Sequence, residues 1–533
     1  MIRRLPAPRL RSTDRPILLR SFLLLFLLTM TAEELAAQDA QAASITEEAA
    51  VEARATLPLD SIVVTEGAAT IRGTQVPYTA RTGTMPVYDF QGMPEASIFF
   101  VYYERSDVAD RASRPLFISF NGGPGSSSVW MHLGYTGPRR VRIDDEGNPI
   151  QPYGLQDNPH SILDVADIVF VDPVNVGLSR PVEGTRADQF FGVNEDIQYL
   201  GRWIQTFVDR MDRWASPKYL IGESYGTTRV SGLATELQNA QKMFLNGVIL
   251  VSPTGLGIDR DGPVGDALAL PHYAATAWYH GALEPSLQNR DLEEILPQVE
   301  RFTVEEYIPA LVRGGFLPAD ERAAMAEEVG RWAGVSSDFV DQYNLTIPIS
   351  AWRKELLRDA GLTVGRLDAR YQGIDRMAAG ESYDYDPAMA SWNHSFTPAM
   401  NLVLDELGWE TDLTYITIGG PVRPWNRAGD QTGEDLRQAM AENPYLKTMI
   451  QAGYYDGGTD YFSAKYTMWH LDPSGRLTDK LRFRTYRSGH MMYLRDDDLA
   501  TSNQDIREFI EWTTPAEGQA AYWGRRVPAN PGG

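Results

Sequence analysis

The sequence contains no cysteine among its 533 residues. A chain without thiols cannot form disulfide bonds, so its fold depends on its hydrophobic core. The absence also excludes a thiolate nucleophile and any metal site built on cysteine. At 43% hydrophobic residues the chain has enough apolar surface for a sizeable globular core.

Basic residues are scarce. There are 49 lysines and arginines against 71 aspartates and glutamates, which gives a formal charge of −22. This excess of negative charge argues against nucleic acid as a partner, and an anionic membrane surface would repel the protein. The sequence also lacks the H-E-x-x-H spacing of a zinc protease and the G-x-x-x-x-G-K-[ST] loop of a phosphate-binding enzyme. No metal and no cofactor are expected.

Long apolar runs are scarce as well, and the clearest one lies near the N-terminus. Six arginines within the first 20 residues precede the apolar run 22–30, and small residues follow at 36–42. The run is short of the ~20 residues that a membrane span requires, so a secretory signal peptide is favoured over the alternative of a single membrane anchor. We predict a signal peptide over residues 1–37, cleavage near residues 37–42 and a disordered leader over 38–60. With no cysteine, export to a bacterial periplasm or medium is favoured, leaving no stable membrane partner after cleavage.

The rest of the chain predicts an α/β fold with a mostly parallel central sheet. Strand-like runs at 70–79, 84–88, 96–103 and 115–120 give way to strands alternating with helices, which is typical of a doubly covered sheet. This rhythm stops near residue 262, and strands return near 413–418, 446–454 and 481–486. We therefore predict a core over 61–262, a helical cap insertion over 263–400 and the second part of the core over 401–533.

The pentapeptide G-E-S-Y-G at residues 222–226 lies between an apolar strand and a helical pattern. In that context G-x-S-x-G indicates a nucleophile elbow, in which glycines allow a strained turn that exposes the serine. Ser224 is therefore the candidate nucleophile. A serine hydroxyl needs a base, itself oriented by an acid, and on this architecture the acid and then the base follow the serine in the chain.

Only two of the seven histidines, His470 and His490, follow the late strands. His490 comes after the strand 481–486 in a glycine-containing loop and is favoured as the base, whereas His470 lies in an apolar helical pattern. Asp456 lies at the carboxyl end of the strand-like run 450–456. Catalytic groups collect at this end of the strands in such sheets, so Asp456 is favoured as the acid. Asp460 is the alternative acid.

An oxyanion hole requires backbone N–H groups aimed at the developing negative charge. One donor belongs to Tyr225, the residue after the nucleophile. The other is expected from the glycine-rich loop 120–126, which directly follows the strand 115–120.

Four ordered blocks together resemble the serine carboxypeptidase family. They are N-G-G-P-G-S-S at 121–127, D-P-V-N-V-G-L-S at 172–179, G-E-S-Y-G at 222–226 and G-H-M at 489–491. The resemblance implies an α/β-hydrolase fold and the removal of C-terminal residues from peptides. It implies Ser224, His490 and Asp456 as the catalytic triad and Gly123 and Tyr225 as the oxyanion donors. It further implies that Asn121 and Glu223 bind the substrate's terminal carboxylate, which favours acidic pH because one of the two carboxyl groups must be protonated.

The sequence departs from the family pattern at two positions. The family commonly places a second glutamate before the Gly-Pro that follows the glycine-rich loop, but this chain has Tyr135 and Thr136 before Gly137. Tyr135 is a candidate replacement donor to the carboxylate. The family's usual cysteine after Gly-Pro-Gly is Ser126. The missing acid leaves a serine esterase or acyltransferase of the same fold as an alternative, and a catalytically inactive envelope binding protein as a third reading.

Overall fold

A computed structural model of the protein describes residues 57–515, and its central feature is a ten-stranded mixed sheet. In chain order the strands are β1 (Ser61–Ile71), β2 (Thr74–Tyr88), β3 (Pro94–Arg105), β4 (Leu116–Phe120), β5 (Arg139–Val141), β6 (Leu155–Asp157), β7 (Asp167–Val171), β8 (Arg180–Pro181), β9 (Lys218–Glu223), β10 (Gly247–Val251), β11 (Thr363–Val364), β12 (Gln372–Gly373), β13 (Lys447–Gly453) and β14 (Leu481–Tyr486). The order across the sheet is β1-β2-β3-β7-β4-β9-β10-β13-β14, with β8 beside β3. Across the sheet from β7 to β14 all neighbours run parallel, whereas the neighbouring pairs β1–β2, β2–β3 and β3–β7 are antiparallel.

Helices cover the sheet and fill the insertion. In chain order they are α1 (Val193–Arg210), α2 (Tyr225–Asn239), α3 (Pro263–Leu268), α4 (Leu270–Tyr279), α5 (Pro285–Gln288), α6 (Leu292–Phe302), α7 (Ile308–Arg313), α8 (Ala319–Ala333), α9 (Ser337–Gln342), α10 (Ile349–Glu355), α11 (Pro387–Glu406), α12 (Thr432–Glu442), α13 (Tyr461–Leu471) and α14 (Asp496–Thr513). The mostly parallel sheet flanked by helices confirms the predicted α/β-hydrolase fold class. None of the helices described between residues 57 and 515 is both long and apolar enough to cross a membrane.

The central parallel strands are buried on both faces, which explains their largely apolar sequences. Every residue of β4, β7 and β10 is buried, as expected for strands covered by helices on both sides. Successive side chains enter opposite cores: Phe117 stacks on Tyr219 at 4.7 Å on one face, while Ile118 packs with Leu220 on the other. This packing holds the carboxyl ends of the parallel strands at one edge, where their loops meet.

Helices dominate the chain between β10 and β13. Those from α3 to α10 share an apolar cluster of their own, whereas α11 and α12 pack into the cores on the two faces of the sheet. That cluster also contains Ala452 and Tyr455 at the end of β13, so the insertion packs against the strand that leads to Asp456. α11 runs without interruption across the boundary expected at residue 400. The small hairpin β11–β12 lies within the insertion.

Two of the predicted strands are wrong. Residues 70–79 are not one strand, because Arg72 (φ 49°) and Gly73 (φ 77°) form the turn between β1 and β2. Residues 413–418 form only isolated bridges, Ile416 with Gly177 and Ile418 with Ser126. This segment lies over the glycine-rich loop rather than in the sheet. The predicted signal peptide and most of the predicted leader fall outside the described residues.

Candidate active site

Ser224 occupies the sharp turn between β9 and α2. Its backbone angles, φ 58° and ψ −127°, lie in a strained region that non-glycine residues rarely adopt. The two flanking glycines are required by packing: a Cβ on Gly222 would meet the Gly226 carbonyl oxygen at 2.2 Å, and one on Gly226 would meet that of Asn121 at 2.9 Å. The pentapeptide therefore adopts the tight turn expected of a nucleophile elbow.

His490 and Asp456 are brought together from two neighbouring strands. His490 Nδ1 lies 2.8 Å from Asp456 Oδ2. The His490 loop follows β14 and Asp456 follows β13, and these strands pair in parallel. With Nδ1 facing the carboxylate, the other ring nitrogen, Nε2, is left to act on a substrate or nucleophile.

Asp456 is fully buried and held as an acceptor. Its Oδ1 accepts hydrogen bonds from the Gly458 and Thr459 N–H groups, at 2.7 and 3.0 Å. The Thr459 hydroxyl lies 2.8 Å from Oδ2 and 3.2 Å from His490 Nδ1. Burial alone would raise the pKa of Asp456, but the His490 charge and these hydrogen bonds outweigh it and lower the pKa to about 2. Burial opposes protonation of His490, yet Asp456 raises the pKa of the ring above its ordinary value.

The alternative acid and base have other positions. Asp460 caps α13, where its Oδ1 accepts the Ser463 N–H at 2.7 Å. His470 lies near the end of the same helix, exposed, with its ring stacked on Tyr466 at 4.1 Å. Neither of these two residues is paired with a triad candidate as Asp456 and His490 are with each other.

Ser224 and His490 line one cavity of about 200 Å³. The remaining lining residues are Gly122, Gly123, Ser126, Trp130, Glu223, Arg366, Leu367, Met389, Ile418, Gly458, Thr459 and Met491. The cavity thus combines apolar walls with a few polar groups, as small-molecule and peptide sites do. Residues from the glycine-rich loop, the insertion and the late strands all meet there.

The glycine-rich loop, which carries one expected oxyanion donor, passes close to Tyr225, which carries the other. Tyr225 is the first residue of α2, so its N–H has no acceptor within the helix. A Cβ on Gly122 would lie 2.4 Å from this Tyr225 nitrogen, which shows how closely the glycine-rich loop passes it. Gly123 follows with φ 104°, a conformation that favours glycine. The helix N-terminus adds partial positive charge at the same place.

Glu223 lies at the floor of the cavity and is only 4% exposed. Asn121 Nδ2 donates to its Oε1 at 3.0 Å, and the Tyr493 hydroxyl donates to its Oε2. Asn121 is itself oriented by the Met131 N–H, which its Oδ1 accepts at 2.9 Å. Burial raises the pKa of Glu223 to about 7, although the His490 charge and the two donors oppose this rise. A protonated Glu223 can donate a hydrogen bond to an anionic ligand.

Tyr135 does not replace the missing second acid. Its hydroxyl donates to Gln451 Oε1 at 2.8 Å, and the residue is completely buried behind the site. Its ring stacks on Tyr493 at 4.7 Å. Tyr135 therefore supports Tyr493, which in turn holds Glu223. The Ser126 hydroxyl accepts the Trp130 indole N–H at 3.1 Å and lies at the edge of the cavity.

Tyr493, Thr459 and Arg366 lie at or beside the cavity but were not singled out by sequence reasoning. Tyr493 comes three residues after His490 and Thr459 three after Asp456, so their proximity to the triad candidates in the chain was a usable signal. Arg366 comes from the insertion, and no local motif marks it. Only the folded chain places it against the cavity.

Comparison with known proteins finds a family that matches part of this site. Residues 74–306 match the family model described as serine carboxypeptidase. These residues belong to the serine carboxypeptidase family. The matched segment includes the glycine-rich loop and the elbow, and it confirms the resemblance that the motifs carry. The Asp456 and His490 loops lie beyond it, in the second part of the core.

Individual proteins of known name are similar to this chain over part of their length. Serine carboxypeptidase-like 36 of Arabidopsis thaliana is 30% identical over 166 residues, which are 30% of this chain and 32% of the relative. Pheromone-processing carboxypeptidase KEX1 of Leptosphaeria maculans is 32% identical over 150 residues, 27% of this chain and 21% of the relative. The crystal structure of the prohormone-processing carboxypeptidase Kex1 from Saccharomyces cerevisiae aligns with a TM-score of 0.49 and 16% identity, over 81% of this chain and 91% of that one. The chain thus matches about a third or less of the length of these two sequence relatives.

Proposed function

We propose that the protein is an exported serine carboxypeptidase that removes C-terminal residues from peptides. One observation carries the proposal: a serine on a strained elbow shares a cavity with a His–Asp pair and with a buried glutamate whose pKa is raised to about 7. The first three groups are those of a serine hydrolase. The glutamate adds a reason for selecting a free C-terminus.

Acylation begins when the Ser224 hydroxyl attacks the scissile carbonyl carbon. His490 accepts the serine proton at Nε2 and donates it to the leaving amine, so that the C–N bond breaks and an acyl-enzyme forms. Asp456, with its lowered pKa, stays ionised and stabilises the imidazolium through the 2.8 Å contact at Nδ1. Water then attacks the acyl carbonyl with His490 again as the base, which releases the shortened peptide.

The developing negative charge on the carbonyl oxygen needs donors that are already in place. The Gly123 and Tyr225 N–H groups fill this role in the proposed mechanism. Their support is the glycine-rich backbone packed against the start of α2 and the positive end of that helix. Such donors contribute most when they need no rearrangement at the moment of reaction.

Recognition of the terminal carboxylate is assigned to Glu223 and Asn121. Below about pH 7 Glu223 is protonated and can donate to the carboxylate, and above it the two negative charges repel each other. Peptide hydrolysis is therefore favoured on the acidic side of neutrality. The acidic limit is set by protonation of His490, which abolishes its action as a base. Because the pKa of the ring is raised above its ordinary value of 6.5, this limit lies close to neutrality, and activity should be highest just below pH 7.

The absence of a second acid leaves one alternative function for this site. Tyr135 donates to Gln451 and not to a ligand, and Glu223 is the one carboxylic acid among the described residues that line the cavity. A serine esterase or acyltransferase would use the same triad with an alcohol as leaving group or acceptor. Because both enzymes would use the same triad, only the choice of substrate distinguishes a peptidase from an esterase.

The experiment compares a blocked dipeptide with a short-chain ester at about pH 6.5, using the wild type and Ser224→Ala. We expect turnover of the dipeptide, its loss in Ser224→Ala, and labelling of Ser224 by a phosphonate. Ester cleavage without peptide turnover would replace the carboxypeptidase by the esterase. An unlabelled serine and no turnover would favour an inactive binding protein.

Export rests on the N-terminal pattern of arginines followed by the apolar run 22–30. We expect the mature protein to begin near residues 37–42 when it is expressed in a bacterium with its leader. The intact mass of the exported protein measures this. A full-length mass in the membrane fraction would instead support an anchor.

A further inference from the structure

The loop of the β11–β12 hairpin lies against both catalytic loops. The Arg366 carbonyl accepts the Gly457 N–H at 3.0 Å, next to Asp456, and the Leu367 carbonyl accepts the His490 N–H at 2.7 Å. The Arg366 N–H in turn donates to Asp386 Oδ1 at 2.9 Å. The backbone of Arg366 is therefore fixed on two sides, directly beside the candidate triad.

The Arg366 side chain projects along the cavity and is left without an ionic partner. It lines the cavity with Ser224 and His490, and its Nη1 would lie 3.4 Å from a Cβ built on Gly458. The neighbouring arginines of the insertion are paired, Arg358 with Glu355 and Arg370 with Asp368. Among residues 57–515, no carboxylate forms an ion pair with the Arg366 guanidinium.

An unpaired guanidinium at a cavity wall is suited to a carboxylate. Its planar array of N–H donors matches the two carboxylate oxygens, and the charged pair forms stronger hydrogen bonds than neutral groups do. The protein as a whole is strongly acidic and repels anions. A substrate carboxylate would therefore need local positive charge to be held here.

We propose that Arg366 binds the side-chain carboxylate of an acidic residue next to the scissile bond, so that the preferred substrates are peptides with Asp or Glu at that position. The proposal rests on the proposed carboxypeptidase function and names its substrate class. The terminal carboxylate is assigned to Glu223, which contacts Asn121 and Tyr493 on the floor of the cavity. Arg366 is exposed and lies at the Gly458 edge, where an extended side chain can reach it.

The test uses blocked dipeptides that differ only in Glu against Gln, placed on either side of the scissile bond. At a pH above the ordinary glutamate pKa of about 4.3 the two side chains differ by one charge at nearly equal size. We expect the wild type to favour Glu over Gln on one side by about tenfold in kcat/KM, the size of one good charged contact. In Arg366→Gln the Glu/Gln ratio of kcat/KM should fall to about one, and in Arg366→Lys part of the preference for Glu should remain. Arg366→Glu should instead favour a peptide with lysine at this position.

The matched control is Arg376→Gln, which removes an exposed arginine of the insertion that does not line the cavity. It should keep the Glu/Gln ratio of the wild type. A wild type without a Glu/Gln preference would overturn the proposal. So would an Arg366→Gln variant that keeps the Glu/Gln ratio but loses discrimination between free-acid and amidated termini, since Arg366 would then bind the terminal carboxylate.

Failure of the proposed function gives a different result. In that case neither dipeptide of any pair is cleaved, while esters are. The same comparison is then made with the Glu and Gln forms of an amino-acid ester. An Arg366-dependent preference for the Glu ester would support the Arg366 assignment, and an equal rate for the two esters would overturn it.

Discussion

Glu223 precedes the nucleophile in the chain and lies beneath it in the cavity. Its two oxygens accept hydrogen bonds from Asn121 and Tyr493, so a proton on this carboxyl group is available to a ligand. Burial raises the pKa of Glu223 to about 7, which places its ionisation within the range of an ordinary assay. The alkaline side of the pH dependence of activity therefore reports on this residue.

Glu223→Gln should remove the alkaline decline of activity on free-acid peptides. In the wild type, kcat/KM should fall through about pH 7, by about tenfold per pH unit well above it, because ionised Glu223 repels the substrate carboxylate. Glutamine stays neutral and can still donate. The measurement is kcat/KM from pH 5 to 9 for both proteins.

An ester without a free carboxylate serves as the control, because its turnover should not show this decline in either protein. An unchanged alkaline limb in Glu223→Gln would mean that another group causes it.

Short-range patterns predict the nucleophile, the base and the acid, but not the long-range contacts that place Tyr135 and Arg366. Ser224, His490 and Asp456 each follow a strand in a recognisable local context. The position of Tyr135 could not be read in this way, because its partner Gln451 lies 316 residues away. Arg366 is likewise placed by contacts with loops some 90 to 120 residues further along the chain.

The β11–β12 hairpin is the element that joins the two catalytic loops. Besides the contacts of Arg366 and Leu367, the Ala369 N–H donates to the Tyr455 carbonyl at 2.9 Å. Asp368 Oδ2 accepts the Gly489 N–H at 3.1 Å and pairs with the Arg370 guanidinium at 2.7 Å. A small element from the insertion thus fixes the chain on either side of the His490–Asp456 pair.

Asp368→Asn should lower both stability and activity. It removes the buried carboxylate partner of the Arg370 guanidinium and leaves only the exposed Glu146 carboxylate, 3.4 Å away; breaking a buried ion pair costs about 3–5 kcal/mol of unfolding free energy. Because the same carboxylate holds Gly489, kcat should also fall. Urea unfolding and kcat at 25 °C measure the two effects.

Glu355→Gln is the matched control, since it removes the partner of Arg358 in a more exposed pair. Such pairs contribute about 0–1 kcal/mol. Equal effects of the two substitutions would refute a special role for the hairpin.

Element boundaries were less predictable than the elements themselves. The run 70–79 has the composition of one strand, yet the left-handed backbone at Arg72 and Gly73 divides it into a hairpin. Residues 413–418 also have strand composition, but they bridge to Gly177 and Ser126 instead of joining the sheet. Composition predicts an extended backbone, and long-range contacts decide which partner it pairs with.

Across the whole molecule, stability and chemistry lie at opposite ends of the sheet. Asp167, at the start of β7, is completely buried and accepts the Arg114 Nε–H at 2.6 Å and an Arg213 Nη1–H at 2.7 Å. It also accepts the Arg105 N–H at 3.0 Å. The candidate catalytic residues follow the carboxyl ends of the neighbouring strands.

Asp167→Asn should therefore destabilise the protein with little change in kcat. It leaves two buried arginines without their carboxylate, and we expect a loss of about 3–5 kcal/mol in the free energy of unfolding. Urea unfolding measures the loss, and assays well below the unfolding transition measure kcat. A large fall in kcat of the folded variant would show that the two ends of the sheet are coupled.

The central claim is that this serine hydrolase site selects a free C-terminal carboxylate. It is tested most directly by the ratio of kcat/KM for a blocked dipeptide to that for its C-terminal amide at about pH 6.5. We predict a preference for the free acid of about tenfold or more, because a charged carboxylate accepts a stronger hydrogen bond from protonated Glu223 than a neutral amide carbonyl does. A ratio near one, or a preference for the amide, would contradict the account.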